Sequence, residues 1–131
     1  TGLPRFCAAT TFDNYLAAGA WTRVQFNAAD ANEQGAFAPA SGRFTAAEAG
    51  PHAFTANLAY RRNGASAPTA FEAQFYRNGA PAGRGRAALT GSLVDGVSCL
   101  GLGTVEVFAR FTGADGYVAA ADSLFSGRQL P

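Results

Sequence analysis

Few residue types in this sequence could carry acid–base catalysis. Of the 131 residues, His52 is the one histidine, so a serine or cysteine nucleophile would have a single imidazole base available. His52 lies in the apolar stretch GPHAF (50–54), which predicts a core or interface histidine. Glu72, Asp95 and Glu106 could form a carboxylate pair for glycoside hydrolysis, but nothing in their spacing indicates that they converge. We therefore predict no enzyme and no catalytic residue.

Metal-ligating residues are equally sparse. Two cysteines and one histidine cannot complete a four-ligand structural zinc site of the usual kind without carboxylates or a second chain. The acids in DGVSCLG (95–101) and TGADGY (112–117) are isolated, whereas calcium requires a dense set of oxygen ligands. The glycine-rich run GAPAGRGRAALTG (79–91) lacks the GxxxxGK[ST] order of a phosphate loop. We predict no metal site and no cofactor.

Cys7 and Cys99 could be free thiols or could form a disulfide with each other. Their apolar neighbours favour buried free thiols. A disulfide between them would close a long loop and would stabilise the fold by about 4 to 5 kcal/mol in the chain-entropy model.

Arginine is the residue type best suited to binding a ligand. All ten basic residues are arginine, and guanidinium groups bind carboxylate and phosphate in a bidentate geometry. We expect basic loops at one end of the domain that would suit an acidic sugar, with aromatic rings such as Trp21, Tyr15 and Tyr117 as stacking platforms. The predicted ligand-binding residues are Arg61, Arg62, Arg77, Asn78, Arg84, Arg86 and Tyr117. The alternative is a solvated surface on which nine acidic residues balance these arginines.

Composition and charge limit the classes of protein to which this chain can belong. A chain with 48% hydrophobic and 15% charged residues is typical of one globular domain, which we assign to 1–131. The net charge of +1 argues against nucleic-acid binding through bulk electrostatics. No run of about 18 apolar residues is present, so we predict no membrane insertion.

Alternation of apolar and polar residues predicts an all-β protein. FTANLAY (54–60), FEAQF (71–75) and VEVFARF (105–111) each place apolar residues at every second position. Turn dipeptides such as NG at 63–64 and 78–79 separate such segments. The predicted strands are 4–9, 21–26, 35–38, 42–47, 52–61, 70–77, 82–93, 103–112 and 122–130, and 10–20 is predicted to be a loop or a short helical turn.

Two aromatic residues lie on the polar side of their strands. Tyr76 follows the apolar Phe75, and Phe108 lies between Val107 and Ala109. A strand that is apolar on both faces is either covered on both sides or located at a subunit interface. We therefore predict an oligomer with Tyr76 and Phe108 at its interface.

Five segments in order resemble one known family. They are WTRVQFN (21–27), GAFAPASGRFTAAEAGPHAF (35–54), FYRNG (75–79), GTVEVFARF (103–111) and LFSGRQL (124–130). Together they resemble the globular head of complement component C1q, within the tumour necrosis factor-like jelly rolls, over essentially the whole chain. The sequence departs from the family pattern at His52, where an aromatic residue is usual, and at Thr104, where an acidic residue is usual.

The resemblance implies a two-sheet antiparallel jelly-roll sandwich of about ten strands that forms a homotrimer. Its axis would be lined by the terminal strands and strand 103–112, which adds Phe125 to the predicted interface. Arginine at every basic position is typical of a GC-rich genome and implies a bacterial or phage member of the family. The implied function is non-catalytic recognition of, or adhesion to, a cell-surface polysaccharide from an extracellular, cell-surface or virion location. The alternative is a trimerisation or capping module of a fibre, spike or capsid, with those proteins as partners and no ligand of its own.

Overall fold

The fold consists of β-strands joined by turns and loops. The structure, a computed structural model, describes residues 5–33, 35–46, 50–66, 68–88, 97–100, 104–121 and 123–129, with the backbone alone at 33, 82–88 and 97–100. Within these ranges every regular element is a strand, and no helix is long and apolar enough to cross a membrane.

The strands follow one another along the chain at short intervals. Their bounds are β1 Arg5–Ala9, β2 Asn14–Leu16, β3 Thr22–Arg23, β4 Ala28–Glu33, β5 Phe37–Ala38, β6 Arg43–Thr45, β7 Gly50–Asn57, β8 Tyr60–Arg62, β9 Ala70–Arg77, β10 Ala80–Ala88, β11 Val97–Leu100, β12 Thr104–Thr112, β13 Gly116–Val118 and β14 Leu124–Gln129.

Two large antiparallel sheets form the sandwich. The first sheet has five strands in the order β11-β7-β14-β1-β4, and the second has six, in the order β10-β9-β12-β6-β5 with β3 also paired to β12. A small third sheet, β2-β13-β8, adjoins them. Because β1 pairs with β14, the two ends of the described chain lie side by side. The prediction of a two-sheet antiparallel jelly roll of about ten strands is confirmed.

Phenylalanine fills the space between the two large sheets. The ring of Phe6 stacks on Phe37 at a centroid distance of 4.8 Å, and Phe71 stacks on Phe111 at the same distance. These contacts confirm the period-two faces expected from the sequence. The fully buried phenylalanines are Phe26, Phe37, Phe44, Phe54, Phe71, Phe111 and Phe125.

The structure corrects several predicted elements. The predicted strand 52–61 is divided into β7 and β8, and the loop predicted at 10–20 contains β2. Strand β4 has the sequence AADANE, whose Ala, Asp and Asn have low β-propensity, so pairing with β1 decides its conformation. Strands β11 and β13 were also missed because each is only three or four residues long. The predicted strand 82–93 ends at Ala88 among the described residues, and 89–93 lie outside them.

The strand order bears on the two cysteines. Cys7 is a free thiol. It lies on β1 and Cys99 on β11, with β7 and β14 between these strands. Three inter-strand spacings amount to roughly 14 Å, whereas the Cα atoms of a disulfide lie within about 7 Å of each other. The strand order therefore separates Cys7 from Cys99, in agreement with the free-thiol alternative for Cys7. The expectation that this thiol is buried was wrong, because Cys7 is half-buried between the inward-facing Phe6 and Ala8.

Candidate ligand-binding surface

The third sheet carries a row of large side chains on its exposed face. Tyr117 on β13 is opposite Tyr15 on β2 and opposite Arg61 on β8. The neighbours of the two tyrosines along their strands, Leu16 and Val118 among them, are buried. Alternation therefore turns Tyr15 and Tyr117 outward, and 52% of Tyr15 is exposed.

These side chains contact one another. The rings of Tyr15 and Tyr117 meet edge to face with centroids 5.6 Å apart. The guanidinium carbon of Arg61 lies 5.3 Å from the centroid of Tyr117, within the range of a cation–π contact. The result is a surface of two aromatic rings and one cation, which we call the tyrosine surface and which also includes Asp115, Asn63 and Asp13.

Asp115 holds one edge of the tyrosine surface. The Tyr15 hydroxyl donates to Asp115 Oδ2 at 2.7 Å, and Asn63 Nδ2 donates to the same oxygen at 3.1 Å. The hydrogen bonds from Tyr15 and Asn63 lower the pKa of Asp115 below its ordinary value, because they stabilise the carboxylate. The same bond to Asp115 raises the pKa of Tyr15, since it favours the protonated phenol.

Asp13 holds the opposite edge. Its Oδ2 atom lies 2.6 Å from Arg61 Nη2, and its Oδ1 atom accepts the Ala120 backbone N–H at 2.8 Å. The neighbouring Arg62 donates from Nη1 to the Ala65 carbonyl oxygen at 3.3 Å. Polar partners therefore orient Tyr15 and Arg61 before any ligand arrives.

The predicted ligand-binding residues do not form the single cluster expected from the sequence. Arg61, Arg62 and Tyr117 lie at the third sheet. Arg77 and Asn78 lie at the far end of β9, whose first residue pairs with Thr112 close to β13. Seven residue steps along this strand correspond to roughly 24 Å.

The backbones of Arg84 and Arg86 lie in β10, and the described part of their structure does not include the side chains. Three residues that complete the tyrosine surface were not predicted, namely Asp13, Asn63 and Asp115. The NG dipeptide at 63–64 marked Asn63 as a turn residue. Only the fold pairs Asp115 with Asn63, 52 positions away, and with Tyr15, 100 positions away.

The arrangement offers no catalytic constellation among the described residues. His52 is fully buried between Phe44 and Phe54; its Nδ1 atom is 2.9 Å from the Gly50 carbonyl oxygen, and its Nε2 atom has no hydrogen-bond partner. Neither ring nitrogen therefore contacts a nucleophile. The histidine occupies the core, as expected from its apolar neighbours.

The candidate carboxylates do not converge. Glu72 Oε1 lies 2.6 Å from Arg110 Nη2, whereas Glu106 Oε2 lies 3.4 Å from Arg23 and 3.5 Å from Arg43. The two acids are four residue steps apart in the β9–β12 register, roughly 13 Å. The third acid, Asp95, lies outside the described residues. Across the described side chains, no group of three His, Cys, Asp or Glu residues is placed to hold a metal ion.

The predicted interface residues lie in two different environments. Tyr76 and Phe108 are half-buried on the outer face of the second sheet, where their rings stack with centroids 3.8 Å apart. Phe125 is fully buried between the sheets of a single chain, against Phe6 and Phe26. Because its side chain turns inward from β14, Phe125 is a core residue and is not available to a second subunit. The interface prediction for Tyr76 and Phe108 remains a prediction.

Comparisons with known proteins identify the fold. No protein-family model matches the chain, and no curated protein matches it in sequence. The globular domain of zebrafish complement 1qA protein superimposes with a TM-score of 0.66 and 17% identity, over 98% of each chain. The PRD1 vertex protein P5 does so with a TM-score of 0.62 and 12% identity, over 100% of each chain. At these identities the likeness establishes the fold. The chain therefore has the tumour necrosis factor-like jelly-roll fold of the complement C1q globular heads.

Proposed function

We propose that this protein is a non-catalytic recognition domain displayed on a virion or cell surface, and that it binds a cell-surface glycan through the tyrosine surface. The observation that carries the proposal is the outward-facing Tyr15–Tyr117 pair, in which Tyr15 is exposed and Tyr117 is half-buried, and which contacts Asp115 and Arg61. The likeness to a complement head and to a phage vertex protein supports the surface location.

The chemistry of the tyrosine surface suits a sugar. Aromatic rings stack against the apolar C–H face of a pyranose, and ionised carboxylate and guanidinium groups form strong hydrogen bonds with its hydroxyls. The tyrosine surface has one cation, Arg61, and two carboxylates, Asp13 and Asp115, so it favours a neutral sugar over a strongly acidic one. Because Tyr15 and Arg61 are already held by polar partners, less conformational entropy is lost on binding.

A glycan-array screen tests this proposal. We expect selective binding by the wild type, and loss of that binding on Tyr15→Ala, which removes an exposed ring. Tyr15→Phe is the matched control, because it keeps the ring and removes only the hydroxyl bond to Asp115. Binding that survives Tyr15→Ala and Tyr117→Ala together would contradict the assignment of this surface.

A second candidate function is structural. The likeness to PRD1 vertex protein P5 favours a module that trimerises and caps a fibre, spike or capsid vertex without a ligand of its own. Light-scattering mass determination in the buffer of the glycan array separates the two candidates. A trimer that binds no glycan favours the structural module, and a trimer with selective binding favours recognition.

A further inference from the structure

An open cleft lies on the outer face of the first sheet, and no residue of the tyrosine surface lines it. It has a volume of about 290 Å³ and is formed by β1, β14 and β7. Its polar side chains are Arg5, Arg128, Thr55 and Ser126. We call it the arginine cleft.

Strand register brings these four residues together. Arg5 on β1 is opposite Arg128 on β14, and Ser126 on β14 is opposite Thr55 on β7. The residues adjacent to the two arginines, Phe6 and Gln129, are buried. Alternation therefore turns both guanidinium groups to the outer face, with Ser126 two positions from Arg128 on the same side.

The charges in the arginine cleft are not balanced by its register neighbours. Like charges directly opposite each other on adjacent strands destabilise a sheet. Arg5 has the acidic Glu33 as its other register partner, on β4, whereas Arg128 has the uncharged Ala53 as its other partner, on β7. Among the register neighbours of the two arginines, Glu33 is therefore the one acidic residue, and it is opposite Arg5. This leaves an excess of positive charge at Arg128.

We propose that the arginine cleft is an anion-binding site that takes one sulfate, phosphate or carboxylate group. Directly opposed residues lie about 5 Å apart, so both guanidinium forks can reach the same anion, and such charge-assisted bonds are the stronger kind. The hydroxyls of Ser126 and Thr55 supply further donors. A volume of about 290 Å³ is at the lower limit of small-molecule sites, which suits a single anionic group better than an extended chain.

An NMR titration with inorganic sulfate, at an ionic strength held constant with sodium chloride, tests this site. We expect saturable shifts of the Ser126 and Gly127 backbone amides. Arg128→Gln should weaken sulfate binding about tenfold, which corresponds to about 1.4 kcal/mol. Arg62→Gln is the matched control, because it makes the same charge change at an exposed arginine of the third sheet.

A linear, unsaturated shift would overturn the proposal, as would equal sulfate affinity in Arg128→Gln and Arg62→Gln. Comparing free sulfate with a sulfated oligosaccharide and its desulfated form identifies the source of the anion. Tighter binding of the sulfated oligosaccharide assigns a polymer-borne group, and equal affinity assigns a free ion. Tyr15→Ala should leave the sulfate titration unchanged, so this site and the glycan proposal can fail independently.

Discussion

At the scale of single residues, Gly127 shows how closely the core approaches the sheet. A Cβ atom at this position would lie 2.5 Å from Phe54 Cδ1 and 2.8 Å from Phe6 Cε1. Both rings are buried and cannot swing aside. We therefore expect Gly127→Ala to reduce the free energy of unfolding by about 1 to 3 kcal/mol, the usual cost of overpacking, as measured by urea denaturation.

Gly64→Ala is the matched control for this substitution. Gly64 is exposed, and a Cβ atom there would meet nothing within 4 Å. Its effect should stay within about 0.5 kcal/mol, as is usual for surface substitutions. Equal unfolding midpoints for the two variants would show that the rings yield to the added methyl group.

At the scale of elements, the third sheet depends on two ionisable groups in defined protonation states. The pKa of Asp115 is lowered, so the hydrogen bonds of its carboxylate stabilise the fold fully at pH values above 3.8, the ordinary pKa of an aspartate. This stabilisation is lost as the pH falls through the lowered pKa. The pKa of Tyr15 is raised, so the hydrogen bond from its phenol stabilises the fold fully at pH values below 10.0, the ordinary pKa of a tyrosine. This stabilisation is lost as the pH rises through the raised pKa. The tyrosine surface is therefore intact throughout the neutral range.

A titration of Tyr15 measures this coupling directly. We expect the phenol of Tyr15 to ionise above 10.0, because its hydrogen bond to Asp115 is the largest cause of the raised pKa. Asp115→Asn should move the pKa of Tyr15 back toward 10.0 in an NMR titration of the ring resonances. Asp13→Asn, on the other edge of the same sheet, should leave the titration of Tyr15 unchanged. A pKa unaffected by Asp115→Asn would show that the hydrogen bond does not form in solution.

At the scale of the whole molecule, the resemblance implies a trimer, and Tyr76 and Phe108, on the outer face of the second sheet, are among its predicted interface residues. Phe108 stacks on Tyr76 there and is only half-buried in one chain. A carboxylate at position 108 would have to be desolvated at a subunit contact. We therefore expect Phe108→Asp to reduce the mass measured by light scattering from that of a trimer to that of a monomer.

Phe12→Asp is the matched control, because Phe12 is an exposed phenylalanine in the loop between β1 and β2, outside the strands that are predicted to line the trimer axis. This variant should remain trimeric. If Phe12→Asp dissociates the protein while Phe108→Asp does not, the predicted interface is wrong. Circular dichroism spectra of both variants distinguish dissociation into folded monomers from unfolding.

The sequence by itself determined the β architecture and most of its core. Period-two alternation placed Phe71 and Phe111 inside, because strand geometry turns every second side chain to the same face. Strand β9 was predicted with its observed bounds, 70–77, because its alternation is strong and a turn dipeptide follows it. The single histidine and the scattered acids predict no catalysis, since such chemistry needs converging titratable groups, and this stays a prediction.

Only the tertiary structure decided which distant residues share a surface. Asp13, Asn63 and Asp115 join the two tyrosines through strand pairing, whereas the equally promising Arg77 lies at the other end of β9. Phe125 turned out to be a core residue because its side chain faces inward from β14. The local sequence shows which side chains of a strand share a face, but it does not show which strands lie next to it. The neighbouring strands determine which charged and aromatic side chains come into contact. The arginine cleft follows from the same cause, because Arg5 and Arg128, 123 positions apart in sequence, become direct neighbours when β1 pairs with β14.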